Sequence, residues 1–130
     1  MARRALIVEN EPLIAMDLAA MLRRLGIEPC GLASNPREAV ERAGSTQPDL
    51  VLMDVYLDDG LQGIKAAKWL HEAYEIPVLF VTGHNDSDTI AQIHEQLPRA
   101  PLCTKPVCDD SLAEAIASTA SSDAPLDELP

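Results

Sequence analysis

Leu6-Ile7-Val8 is a short apolar run, two of its three residues β-branched, that stops at Glu9, as expected of a strand buried on both faces. From Pro12 to Leu25 the period becomes helical. Ile14, Leu18, Met21, Leu22 and Leu25 fall on one face, and Gly26 follows as a stop. Leu13 and Met16 lie off that inward stripe. Pro29 to Ala33 is a weaker strand, and Asn35-Pro36 offers an N-cap with proline at the first helical position. That helix is expected to end near Ala43, with a loop from Gly44 to Pro48.

Leu50-Val51-Leu52-Met53 is a third apolar run, and Asp54 ends it. Tyr56 to Gly63 holds two glycines and two acids and predicts a loop. Ile64 to Tyr74 predicts a helix with Ala67 and Leu70 inward. Pro77 to Val81 is the clearest strand, ending at Thr82-Gly83. Asp86 or Ser87 can cap a helix to Leu97, with Ile90 and Ile93 on one side. Leu102-Cys103 is a short last strand before Lys105-Pro106, and Asp109 or Asp110 can cap a helix to about Thr119.

Strand and helix thus alternate five times with short links. Parallel neighbours need a crossover between them, so the pattern predicts an α/β fold: a doubly wound, five-stranded parallel sheet with five helices. Residues 1–119 form the expected domain. Residues 120–130, rich in Ser, Ala, Asp and Pro without apolar period, are expected to be a mobile tail.

Composition narrows the function. Hydrophobic residues are 47% of the 130 and aromatics 3%, so the core must be mostly aliphatic. A formal charge of −11 argues against binding nucleic acid or an anionic membrane surface. Cys30, Cys103 and Cys108 make an odd count without CxxC spacing, which disfavours a disulfide framework or zinc site and fits a reducing cytoplasm. Glu9 interrupts the first apolar run too early for a secretion signal or membrane span. His71, His84 and His94 are too scattered to suggest a metal site, and Trp69 is expected to be a packing residue.

The carboxyl ends of the strands are where an open parallel sheet binds ligands. Glu9-Asn10-Glu11 follows the first strand, Asp54 the third, Thr82 the fourth and Lys105 the fifth. Singly, each has an ordinary reading as cap, turn residue or surface charge. Jointly they gather carboxylates, a hydroxyl and an ammonium on one rim. Carboxylate and carbonyl oxygens suit Mg²⁺, and a hydroxyl with a lysine suits phosphoryl oxygens.

Leu6-Ile7-Val8-Glu9-Asn10-Glu11-Pro12, Asp54-Val-Tyr-Leu-Asp-Asp-Gly60, Phe80-Val-Thr-Gly83 and Lys105-Pro106 together resemble a response-regulator receiver domain. The likeness runs from about Arg4 to Thr119. It implies a flavodoxin-like fold and a phosphoacceptor at Asp54, charged by a histidine kinase or a phosphotransfer protein. It implies Mg²⁺ held by Glu9, Asn10, Asp54 and the backbone carbonyl of Tyr56. It further implies that Thr82 and Lys105 hold the phosphoryl oxygens and that the Lys105-Pro106 bond is cis.

Two departures stand out. The family usually carries two acids where this chain has Glu9 and Asn10, so the site loses one negative charge. Three residues before Lys105, where many receivers have a switching Tyr or Phe, stands Leu102. With Phe80-Val-Thr-Gly83, that makes the chain similar in part to the Phe-Ala-Thr-Gly receiver subgroup, although His84-Asn85 does not continue its pattern. The expected protein is a stand-alone signalling receiver, monomer or weak dimer, and not an enzyme. Leu13 and Met16 are candidates for a kinase docking patch. A phosphate-independent docking module is the alternative. A phosphatase ranks third, because the second acid of its Asp-x-Asp motif is here Tyr56.

Overall fold

The computed structural model describes residues 3–57, 62–83 and 87–122, with side chains to Thr119. In chain order the elements are β1 (Arg4–Val8), α1 (Pro12–Arg24), β2 (Glu28–Ala33), α2 (Pro36–Thr46) and β3 (Leu50–Asp54). Then come α3 (Gln62–Tyr74), β4 (Val78–Thr82), α4 (Ser87–Gln96), β5 (Leu102–Thr104) and α5 (Asp109–Ser122). The strands are all parallel and form one sheet in the order β2-β1-β3-β4-β5. This is the expected α/β architecture.

Two-residue alternation along the strands divides the core in two. Leu6, Val8, Val51, Met53, Val78 and Phe80 pack with residues of α2, α3 and α4. Ala5, Ile7, Leu50, Leu52, Leu79 and Val81 pack with α1 and α5. Because β3 and β4 are covered on both faces, every one of their residues is buried. The β-branched and leucine-rich runs visible in the sequence are the consequence of that double cover.

Local chemistry sets the boundaries. Pro12 starts α1, and Gly26, at φ 80°, follows its C-terminus in the left-handed conformation that glycine tolerates. Asn35 caps α2, its side-chain oxygen accepting from Glu38 N at 2.9 Å. Leu13 and Met16 point to solvent as expected. Among the described residues, no helix is long and apolar enough to cross a membrane.

Several expectations need correction. Gly44 does not open a loop: α2 continues to Thr46 and is ended by Gln47 at φ 48°. The glycine serves closeness instead, since a Cβ there would lie 3.2 Å from Tyr74 Oη. The helix α3 starts at Gln62, so Gly63 is helical rather than the end of a loop. Asp109 lies inside α5; its carboxylate forks onto Arg24 at 2.7 and 2.8 Å. Cys108 occupies the preceding position, with Ser111 Oγ near its N–H at 3.2 Å. Trp69 is half exposed and meets Tyr74 edge-on, with ring centroids 5.6 Å apart. The helix α5 extends to Ser122, past Thr119. Asp58-Asp59-Gly60, His84-Asn85, the candidate cap Asp86 and residues 123–130 lie outside the described residues.

Candidate functional site

Strand order reverses between β1 and β3, where the chain turns outward to β2 on one side and β4 on the other. Such a reversal leaves a crevice at the carboxyl ends of the two strands. Val8 pairs with Met53, so the residues that follow them, Glu9 and Asp54, emerge side by side. Glu9 is tied down by its N–H, which donates to Ala33 O at 2.9 Å. Thr82 ends β4 and is fully buried. Its carbonyl accepts from Lys105 N at 2.9 Å, which brings the lysine to the same rim. The Lys105-Pro106 bond is cis, as the resemblance implied.

Lys105 Nζ lies 2.7 Å from Glu9 Oε1 and 3.5 Å from Asp54 Oδ2. Glu9 and Asp54 are 4% and 5% exposed, so two carboxylates share one ammonium away from bulk water. Burial is the first cause that raises the Asp54 carboxyl, to about 7, and the charge of Glu9 adds to it. Lys105 and the Tyr56 N–H, which donates to Asp54 Oδ1 at 3.2 Å, pull in the opposite direction. The site is therefore short of positive charge.

The sequence-derived residues converge unequally. Glu9, Asp54, Thr82 and Lys105 are buried or half-buried at the rim, whereas Asn10 is exposed at its mouth. Glu11 is also exposed; its N–H donates to Glu9 Oε2 at 3.1 Å. The backbone of Tyr56 meets Asp54, and its hydroxyl shares a 3.1 Å hydrogen bond with Thr89 Oγ1 on α4. His71 is remote from the rim, its Nδ1 3.2 Å from Ile76 O before β4.

One residue that sequence reasoning missed is Gly63. A Cβ there would fall 1.9 Å from Asp54 O and 2.7 Å from Val55 O. Its N–H donates to Val55 O at 3.0 Å. Only a residue without a side chain lets the start of α3 press against the backbone that presents Asp54. The available signal was a glycine placed directly before an apolar helical stripe.

The donors near Asp54 are all oxygens, which suits a hard cation such as Mg²⁺. Glu9 Oε1 is buried and its partner is the Lys105 ammonium at 2.7 Å, so a positive charge already occupies the side of the carboxylate that a cation would use. With Asn10 in place of an acid, no three Asp, Glu, His or Cys side chains form a ready metal cluster among the described residues. The residues fit the cation, with a donor set one charge poorer than the family's usual one.

Comparison with known proteins agrees with this geometry. Residues 5–117 match the family described as response regulator receiver domain. Over 85 residues the chain is 45% identical to the phyllosphere-induced regulator PhyR of Methylorubrum extorquens, covering 65% of this chain and 32% of that protein. Over 114 residues it is 40% identical to the transcriptional regulatory protein PdtaR of Mycobacterium tuberculosis, covering 88% of this chain and 55% of that one. The chain thus spans between a third and about half the length of these curated relatives. The signal receiver domain of a modulated diguanylate cyclase from Desulfovibrio desulfuricans superposes with a TM-score of 0.84 at 30% identity, over 95% of this chain and 97% of that one. The fold is accordingly flavodoxin-like, and the chain belongs to the response regulator receiver domain family.

Proposed function

We propose that this receiver accepts a phosphoryl group on Asp54 from a histidine kinase or a histidine phosphotransfer protein and signals through a partner protein. The observation that carries this reading is the buried Asp54 carboxylate with Lys105 Nζ at 3.5 Å. In the transfer, a carboxylate oxygen of Asp54 forms the bond to phosphorus while the phosphorus–nitrogen bond of the donor breaks. The imidazole leaves with its electron pair and regains a proton. Lys105 then pairs with a phosphoryl oxygen, and Thr82, at the end of β4, donates its hydroxyl to another.

Mg²⁺ would be held by Glu9, Asn10, Asp54 and the Tyr56 carbonyl, supplying the positive charge that two carboxylates and a phosphoryl group require. The donor is proposed to approach over α1. A cavity of about 300 Å³ opens there, lined by Ile14, Leu18, Met21, Pro106 and Val107 with Asp17 and Lys105. Leu13 and Met16, 78% and 63% exposed, extend the apolar surface of the same helix. The protein would work in the cytoplasm, as a monomer or weak dimer, and as a switch rather than an enzyme with turnover.

Incubation with acetyl phosphate and Mg²⁺, read by intact mass beside Asp54→Ala, tests the reading. A single phosphoryl adduct on the parent alone is the expected result. An unmodified parent, with a phosphohistidine donor failing as well, would make the protein a phosphate-independent docking module.

A further inference from the structure

Leu102 raises the question of how a change at Asp54 leaves the site, because this first residue of β5, paired with Phe80, has neither a ring nor a hydroxyl. Its side chain is partly buried against the core beneath α2, α3 and α4. It can report packing, but it cannot exchange a hydrogen bond with Thr82.

Tyr56 has what Leu102 lacks. Its backbone N–H donates to Asp54 Oδ1 at 3.2 Å, and its hydroxyl shares a 3.1 Å hydrogen bond with Thr89 Oγ1. One residue is therefore bonded at one end to the reactive carboxylate and at the other to α4. Thr89 is 2% exposed, so its hydroxyl depends on protein partners rather than on water.

Among the described residues, the other attachments of α4 lie further along it. Thr89 and Ile93 are its buried residues. Near its end, Lys68 Nζ donates to Gln96 Oε1 at 2.9 Å, fastening the helix to α3. Ser87, Asp88, Ala91, Gln92, His94 and Glu95 face solvent. Among the described residues, the first turn is thus held through Thr89, while the last turn has an independent anchor.

We propose that the Tyr56–Thr89 hydrogen bond is the latch through which the state of Asp54 sets the position of the first turn of α4. The inference rests on Asp54 being the phosphoacceptor. A phosphoryl group offers oxygens of higher charge than the carboxylate, so the Tyr56 N–H re-aims toward them. The peptide turns and carries the ring with it, and the hydroxyl withdraws from Thr89. A buried threonine without its partner then moves to find another, and α4 swings about the Lys68–Gln96 anchor. The solvent-facing side of α4 becomes the surface that differs between the two states.

Hydrogen exchange of residues 87–91, measured by mass spectrometry with and without acetyl phosphate and Mg²⁺, tests the latch. In the parent, phosphorylation is expected to speed exchange there at least threefold. Tyr56→Phe and Thr89→Val should exchange at the fast rate before any phosphoryl group is added and gain nothing further from it. Thr89→Ser, which keeps the hydroxyl, should restore the parent's response. Intact mass, recorded on each sample, gives the adduct fraction, which for Thr89→Val and Thr89→Ser should lie within twofold of the parent. Equal adducts with an unchanged exchange response in Thr89→Val would overturn the latch and leave the phosphoacceptor standing. A parent that takes no phosphoryl group from either donor class would overturn both, and the mass spectrum distinguishes the two failures.

Discussion

Lys105 Nζ stands closer to Glu9 Oε1, at 2.7 Å, than to Asp54 Oδ2, at 3.5 Å. In the unmodified protein the ammonium therefore neutralises the carboxylate that is not proposed to react. It also competes with any cation for the same oxygens. Lys105→Met is expected to tighten Mg²⁺ binding about threefold to tenfold, or ~1 kcal/mol, as one unit of competing charge is removed. The same variant should form at least about tenfold less phosphoryl adduct, because a phosphoryl oxygen loses its cation. Calorimetric titration and intact mass measure the two effects. Weaker Mg²⁺ binding in the variant would mean that the lysine organises the carboxylates instead of competing for them.

Asp54 makes the metal-free fold sensitive to pH. Its carboxyl is raised to about 7, chiefly by burial and then by Glu9. In the unfolded chain it titrates near the ordinary 3.8. Between those values the folded state binds more protons, so this group's contribution is fully present below about pH 4 and is lost as pH rises to about 7. Asp54→Asn is therefore expected to stabilise the protein at pH 8 by about 1–3 kcal/mol, after allowance for solvent at the rim, and by much less at pH 4. Urea melts in chelator at the two pH values provide the check, and Mg²⁺ should shrink the gain at pH 8.

Asn10 sits exposed at the mouth of the site, where its amide can offer oxygen without charge. Asn10→Asp should tighten Mg²⁺ binding about tenfold, near 1–2 kcal/mol, while lowering metal-free stability through a third negative charge. Equal Mg²⁺ affinity in the two proteins would falsify the idea that this position sets the strength of the site.

Gly63 admits no side chain. A methyl group there would lie 1.9 Å from Asp54 O, and backbone cannot yield as a flexible side chain can. Gly63→Ala is expected to cost about 3 kcal/mol or more by forcing α3 away from β3. Phosphoryl adduct at Asp54 should fall further than the loss of folded protein explains. Gly83, where an added Cβ meets nothing within 4 Å, is the control: Gly83→Ala should change stability by less than about 1 kcal/mol.

Much of this was legible before any coordinates. Three apolar runs end in Glu9, Asp54 and Thr82 because strands covered on both faces must be apolar until they reach the rim, and Lys105 follows the short edge strand β5. The rim must then be polar if it is to do chemistry. Strand ends and site are thus the same signal. The Asn35-Pro36 start of α2 was legible because a cap acts over three residues. Other features act across distance and left no local trace. Tyr56 and Thr89 are 33 residues apart, and nothing near either one marks the bond between their hydroxyls. Asp109 has the form of a cap, yet its carboxylate is claimed by Arg24, 85 residues away. Gly44 has the form of a stop but is used for its small size beneath Tyr74. In each case tertiary contact decided among local options that the sequence left open.

The sheet that carries the site is also a partition. Side chains of one alternation serve α1 and α5, and those of the other serve α2, α3 and α4. The two half-cores meet mainly through strand backbone, so volume changes on one side should add to those on the other with little coupling. Delivery of a phosphoryl group over α1 and its readout through α4 would then be separately adjustable trades. A lineage could change what it listens to by repacking one layer, and what listens to it by repacking the other, while Asp54 between them stayed as it is.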